Sequence, residues 1–224
     1  MRNALKLTCL DFRTVQPYLT GRTILVLLAS MGIFLFFTDG GTAMIAMVMA
    51  IGSMFVSYPF AVGEQNGIDT LYATLPLGRR AVVAGRYLFA LGMNAAAGVV
   101  SYCLLSAAAL VRRIPFDPNE ALAVLMASFV LFTLTGALQL PLYFRLGYAR
   151  AKMLAYLPYI LLPLMAVGAT TLMGDGRWAE VGQRVLGAMT ANPVVTALAA
   201  LAVWAGLLAL SVWRSLAAYR RREL

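Results

Sequence analysis

The sequence predicts an all-α polytopic membrane protein with six transmembrane helices and cytoplasmic N- and C-termini, and three observations lead there. The chain has 224 residues, of which 62% are hydrophobic and only 12% charged; that is about half the charge of an ordinary soluble domain. Six apolar stretches carry at most an isolated polar side chain, and roughly 20 helical residues suffice to cross a bilayer's hydrocarbon. The basic residues fall almost entirely on one side of the layout that those stretches define. Once six spans are removed, the loops are too short to build a second core. Residues 1–224 therefore read as a single transmembrane domain.

The elements follow in order. The N-terminal segment 1–22 carries Arg2, Lys6, Asp11 and Arg13, too many charges for the apolar centre of a signal peptide. Within it Leu5, Cys9 and Phe12 recur at about helical spacing, with Lys6 and Arg13 away from them. That pattern predicts an N-terminal helix lying in the membrane interface until Pro17 interrupts it. Span one covers Thr23 to Phe37 and ends at TDGG; span two covers Thr42 to Val62. After a polar segment, 63–86, come span three (Tyr87 to Val111), span four (Ala121 to Tyr143), span five (Met153 to Met173) and span six (Pro193 to Trp213). A basic tail, RSLAAYRRREL, closes the chain.

Six spans put both termini and two loops on one face. That face collects fourteen Lys and Arg, and the other holds only Arg112, Arg113, Arg177 and Arg184. Basic residues in short loops are retained in the cytoplasm, so the asymmetry places the termini there. It also explains the net charge of +9 through membrane lipid, with no nucleic acid as partner. Cys9 precedes the first span and Cys103 lies inside the third, so they are not placed to pair. Histidine is absent, which removes imidazole acid–base chemistry and His-containing metal sites.

Segment 63–86 is longer than a connector between neighbouring spans requires. In it Ile68, Leu71, Tyr72 and Leu75 stand at i, i+3, i+4 and i+7, while Glu64, Gln65, Asp69 and Thr70 mostly face elsewhere. This spacing predicts an amphipathic helix stopped by Pro76, with a turn through LPLGRR that carries Arg79 and Arg80. Such a helix can dock in a groove of a soluble partner or simply anchor the loop. Asn94, among the small residues of span three, and Gln139, beside Pro141 in span four, could line a translocation path or bond across helices. Gly92, Ala96 and Gly98, with Gly32 in span one, suit close helix approach. Pro158 and Pro163 predict a bend in span five. Trp178, Val181, Val185, Leu186 and Met189 suggest a short outer helix.

A Glu at the end of span two, an apolar-faced segment, LPLGRRAVVAGRY and then span three together resemble the membrane subunit of a small bacterial type 2 ABC exporter. The matching positions are Glu64, Leu75, Pro76, Arg79, Arg86 and Tyr87. The resemblance implies that segment 63–86 is the coupling element, seating Glu64, Gln65, Ile68, Leu71, Tyr72, Leu75, Pro76, Arg79 and Arg80 on a separate ATP-binding subunit. It further implies two copies of that subunit, ATP and Mg2+ bound there and no cofactor on this chain, a second permease subunit, identical or related, and a bacterial cytoplasmic membrane as the location. The short outer connectors, about residues 38–41, 112–120 and 174–192, depart from the larger members of the family.

Independently of the resemblance, neither Lys6 nor Lys152 follows a GxxxxGK pattern, so the phosphate-cradling loop of an ATPase is missing. The predicted span interiors hold no acid, lysine or arginine, which disfavours an intramembrane enzyme and an ion-coupled secondary transporter. A non-transporting scaffold or regulatory subunit is the main rival. The cargo that fits apolar spans is amphipathic or hydrophobic: peptides, antimicrobial compounds and lipids all fit, and the resemblance ranks peptide-like amphiphiles first.

Overall fold

The structure, a computed structural model, describes residues 2–18, 20–21, 29, 42–67, 78–112, 116–174 and 193–221. Within them the chain is helical: α1 (Arg2–Val15), α2 (Ala43–Met54), α3 (Tyr58–Gln65), α4 (Arg79–Arg112), α5 (Pro118–Leu146), α6 (Tyr148–Gly174) and α7 (Pro193–Arg221). It is an all-α polytopic membrane protein. Among the described residues, four stretches are long and apolar enough to cross a bilayer: Ala43–Gln65, Arg79–Val111, Pro118–Leu146 and Val195–Arg220. These contain predicted spans two, three, four and most of six. α6 covers predicted span five and stays helical through both Pro158 and Pro163. Span one and the outer segment from Trp178 to Met189 lie outside the described residues, apart from Ala29.

Local chemistry explains several boundaries. Pro59 has no N–H to offer the Phe55 carbonyl four residues back. The chain tightens there into a single 3-10 turn, Phe55–Ser57, and the Tyr58 N–H serves Phe55 O, joining α2 to α3 as one span. Asp117 caps α5 by accepting from Asn119 N at 2.9 Å, with Pro118 in the first turn. That is where an acceptor side chain and a residue lacking N–H fit best. At the other end of α5, Gly147 adopts φ 78°, a backbone region favouring glycine, and α6 begins at the next residue. α4 starts at Arg79, upstream of Tyr87 where the apolar run begins, so the third span carries its helix into the polar segment.

α4 runs antiparallel to α2, α5 and α7, while α5 and α7 run parallel to each other, and two clusters mark the two ends of the bundle. One end gathers Leu7 of α1, Val82, Val83 and Tyr87 of α4, Leu140 and Phe144 of α5, and Tyr219 of α7. The opposite end gathers Met44, Ile45, Val48 and Met49 of α2, Leu105 of α4, and Ala121 and Phe132 of α5. α1, the end of α3, the start of α4, the α5–α6 junction and the last turns of α7 thus share one end. α2 and α4 approach most closely where Gly52 faces Ala97, so that a Cβ at 52 would collide with the Ala97 methyl. Gly92 leaves room for the Phe12 ring, and Gly98 for Met49 and Leu125.

α1 turns the face bearing Leu7, Asp11 and Val15 into the bundle and leaves Leu5, Cys9 and Leu10 outward. Of the stripe picked out by spacing, Leu5 and Cys9 face outward, while the Phe12 ring, partly exposed, reaches Phe89 and Gly92 of α4. The inward face includes a carboxylate because α4 supplies a cation to meet it.

Candidate functional site

The end of the bundle that holds α1 concentrates the charged side chains singled out by sequence. Asp11 Oδ1 lies 3.2 Å from Arg86 Nη1, both side chains 5% exposed. The Arg86 guanidinium also sits over the Phe60 ring, 4.6 Å from its centroid, an attraction between cation and ring quadrupole that strengthens away from water. Thr8 Oγ1 donates to Gly85 O at 3.1 Å, and the Phe12 and Phe89 rings meet edge to face. Burial pushes the Asp11 carboxyl up to about 6 even though Arg86 pulls it down. Desolvation of the carboxylate outweighs the Coulomb attraction here.

Glu64 is exposed at the end of α3, and its carboxylate reaches the first turn of α6. Its Oε2 accepts from Tyr148 N at 2.6 Å and from Ala149 N at 3.1 Å. These are N–H groups for which an α-helix has no internal partner, at the end where its dipole favours an anion. Arg79 makes the mirror contact at the other flank of the polar segment: Nη1 donates to Arg220 O at 2.8 Å, at the C-terminal end of α7. A cation is favoured there for the same reason. Gln65 and Arg80 are exposed. Ile68, Leu71, Tyr72, Leu75 and Pro76 lie outside the described residues.

The two candidates for a path separate in the structure. Gln139 is 2% exposed and its Nε2 donates to Ala155 O at 2.7 Å, tying α5 to α6. Asn94 is fully buried, and neither amide atom has a hydrogen-bond partner. It borders a cavity of about 10 Å³ lined also by Tyr87, Thr133, Gly136 and Ala137, room for about one water. Near it the Tyr87 hydroxyl contacts Ser211 and, at 2.8 Å, Ser215, and Ser211 donates to Ala137 O. Trp204 Nε1 donates to Thr133 Oγ1 at 2.8 Å.

Sequence reasoning missed Asp11 as an anchor and missed the serine–tyrosine pairs. The available signal for Asp11 was a carboxylate four residues from both Leu7 and Val15, on an otherwise apolar stripe. Among the described residues no group of three or more His, Cys, Asp or Glu is placed to hold a metal ion.

Over residues 6–220 the chain matches the family described as ABC-2 family transporter protein. It belongs to that family. No curated protein and no solved structure matches the chain. As an ABC-2 membrane protein it is a non-catalytic transport component, in keeping with a sequence that has no phosphate-cradling GxxxxGK loop.

Proposed function

We propose that this ABC-2 family protein is the transmembrane subunit of an ATP-driven exporter in a bacterial cytoplasmic membrane. Two copies of a separate ATP-binding subunit supply ATP and Mg2+, and a second permease chain, identical or related, completes the membrane part. The observation that carries the reading is family membership across residues 6–220 in a chain without an ATPase loop of its own. Such a chain has to borrow its driving energy.

In this reading the chain has six spans and cytoplasmic termini, supported by fourteen basic residues on one face against four on the other. Segment 63–86 is the coupling element, with its apolar stripe Ile68, Leu71, Tyr72 and Leu75 seated on the ATPase. The cargo is amphipathic, a peptide or an antimicrobial compound.

Co-purification of an ATP-binding subunit, followed by ATP-dependent uptake of amphipathic peptides into inverted vesicles, tests this function. Replacing Leu71 and Tyr72 by Asp should abolish ATPase association, or stimulated hydrolysis if the complex persists, at matched expression. A chain that purifies without any ATPase from membranes containing one, or that binds it equally well with both Asp substitutions, refutes the coupling role.

A further inference from the structure

Two charged residues of segment 63–86, Glu64 near its start and Arg79 after its LPLG turn, are both spent inside the chain, on the ends of two different helices, each in the sense that the helix dipole favours. Glu64 holds the N–H groups of Tyr148 and Ala149 at the start of α6. Arg79 holds the Arg220 carbonyl at the end of α7. We propose that Glu64 and Arg79 are positioning residues that tie segment 63–86, on either side of the stretch between them, to α6 and α7, so that displacement of the segment is delivered to those two helices.

The inference rests on the coupling role of segment 63–86 and adds where the motion goes. The geometry supports delivery over mere anchoring of a loop. Glu64 grips two adjacent N–H groups at the junction where α5 turns into α6 through Gly147, and Gly147 N is itself bonded to Tyr143 O at 3.0 Å. A pull on Glu64 therefore acts on the first turn of α6 at a glycine with positive φ, a place where direction can change without disturbing either helix interior. Arg79 opens α4, whose Val82, Val83 and Tyr87 pack with Tyr219 of α7. Its bond to Arg220 O thus continues a packed contact and gives it a fixed register. Both contacts are exposed and individually weak, as expected of links that must be remade in each cycle.

The test uses the full chain, with Cys9 and Cys103 replaced, purified with its ATP-binding subunit and reconstituted in lipid nanodiscs. Spin labels on cysteines at positions 152 on α6 and 214 on α7, both exposed, report the distance between the two helices. In the parent, ATP with vanadate should shift the distance distribution. Compared at equal amounts of bound ATP-binding subunit, Glu64→Ala and Arg79→Ala should each at least halve the shifted fraction, and Glu64→Gln, which still accepts one hydrogen bond, should restore part of it. Amide exchange over residues 147–151 should rise several-fold in Glu64→Ala even without nucleotide, which checks folding and the clasp without the ATPase. A parent that shows no shift, or alanine variants that keep the full shift, overturn the inference and leave the coupling role of the segment intact. Absence of any bound ATPase overturns the coupling role itself, and the inference with it.

Discussion

Acidification should tighten the docking of α1, contrary to the usual behaviour of a carboxylate in an ion pair. The Asp11 side chain is buried, 5% exposed, and its carboxyl is raised from 3.8 to about 6 by burial, with Arg86 only partly offsetting the rise. When α1 lifts from α4 into the interface the carboxyl returns to its ordinary value, so between about pH 4 and pH 6 the docked state holds the extra proton. Docking is then strongest below about pH 4 and is lost progressively as pH rises to about 6, at roughly 1.4 kcal/mol per pH unit, about 3 kcal/mol in all. Above about pH 6 both states are ionised and the dependence ends. Asp11→Asn fixes a neutral side chain of the same shape. By the same linkage it should strengthen docking near pH 7 and remove the dependence on pH. Amide exchange over residues 2–15 in nanodiscs, corrected for the intrinsic effect of pH on exchange, measures this as protection rising by about two orders of magnitude over the window. Arg86→Met removes the charge that lowers the Asp11 carboxyl, and should move the window upward. Equal protection in the parent at about pH 4 and pH 7, or weaker protection in Asp11→Asn than in the parent near pH 7, would refute the dominance of desolvation.

Gly52→Val should lower thermal stability by about 1–3 kcal/mol through overpacking against Ala97, read from melting in nanodiscs. Gly92→Ala should cost less, because only the far edge of the Phe12 ring stands in its way, at 3.2 Å. Asn94→Leu should be neutral or stabilising by about 1–2 kcal/mol, since it removes a fully buried amide without partners; a loss of transport at unchanged stability would instead make Asn94 a substrate contact. With Cys9 and Cys103 replaced, an impermeant thiol label applied to intact cells should mark a cysteine at 117 and spare cysteines at 3 and 220, as the basic-residue asymmetry requires.

Composition and length made the spans legible, and the helices from α2 onward contain the apolar runs from which they were read. Their ends were less legible, because Arg79, Arg80 and Arg86 count against a membrane span while costing a helix almost nothing. α4 therefore begins before its apolar run does. Side chains that bond to backbone leave no sequence pattern: Glu64 reads as a charge available to a partner, and its acceptance from Tyr148 N and Ala149 N depends on bringing the α5–α6 junction beside α3. Gly52 escaped notice for a related reason. The small residues of α4 stand out as a run, whereas a single glycine on α2 acquires meaning only from the Ala97 that faces it. Asn94 and Gln139 look equivalent as isolated amides in apolar spans. Gln139 has a carbonyl of α6 within reach and Asn94 has only a cavity the size of a water.

The same accounting of polar groups bears on where a substrate could pass. Inside the described bundle, several hydroxyl and amide groups pair across helices: Ser53 with Tyr159 at 2.6 Å, Ser57 with Tyr156 at 3.1 Å, Trp204 with Thr133 at 2.8 Å and Gln139 with the backbone of α6. Each pair bridges two helices, and opening a passage between them would leave several donors and acceptors unpaired in hydrocarbon, at roughly 1–3 kcal/mol for each group. Apolar side chains, by contrast, cover the outward surface of α7, among them Val195, Leu198, Leu201, Val203, Leu207 and Leu210. Exposing that surface to an amphipathic molecule breaks no hydrogen bond. For the proposed exporter this favours a route along an interface between two permease chains over one through the middle of either. If a second permease chain completes the exporter as proposed, it would form a wall of the pathway, and the helices that Glu64 and Arg79 grip, α6 and α7, include the one that presents this apolar surface.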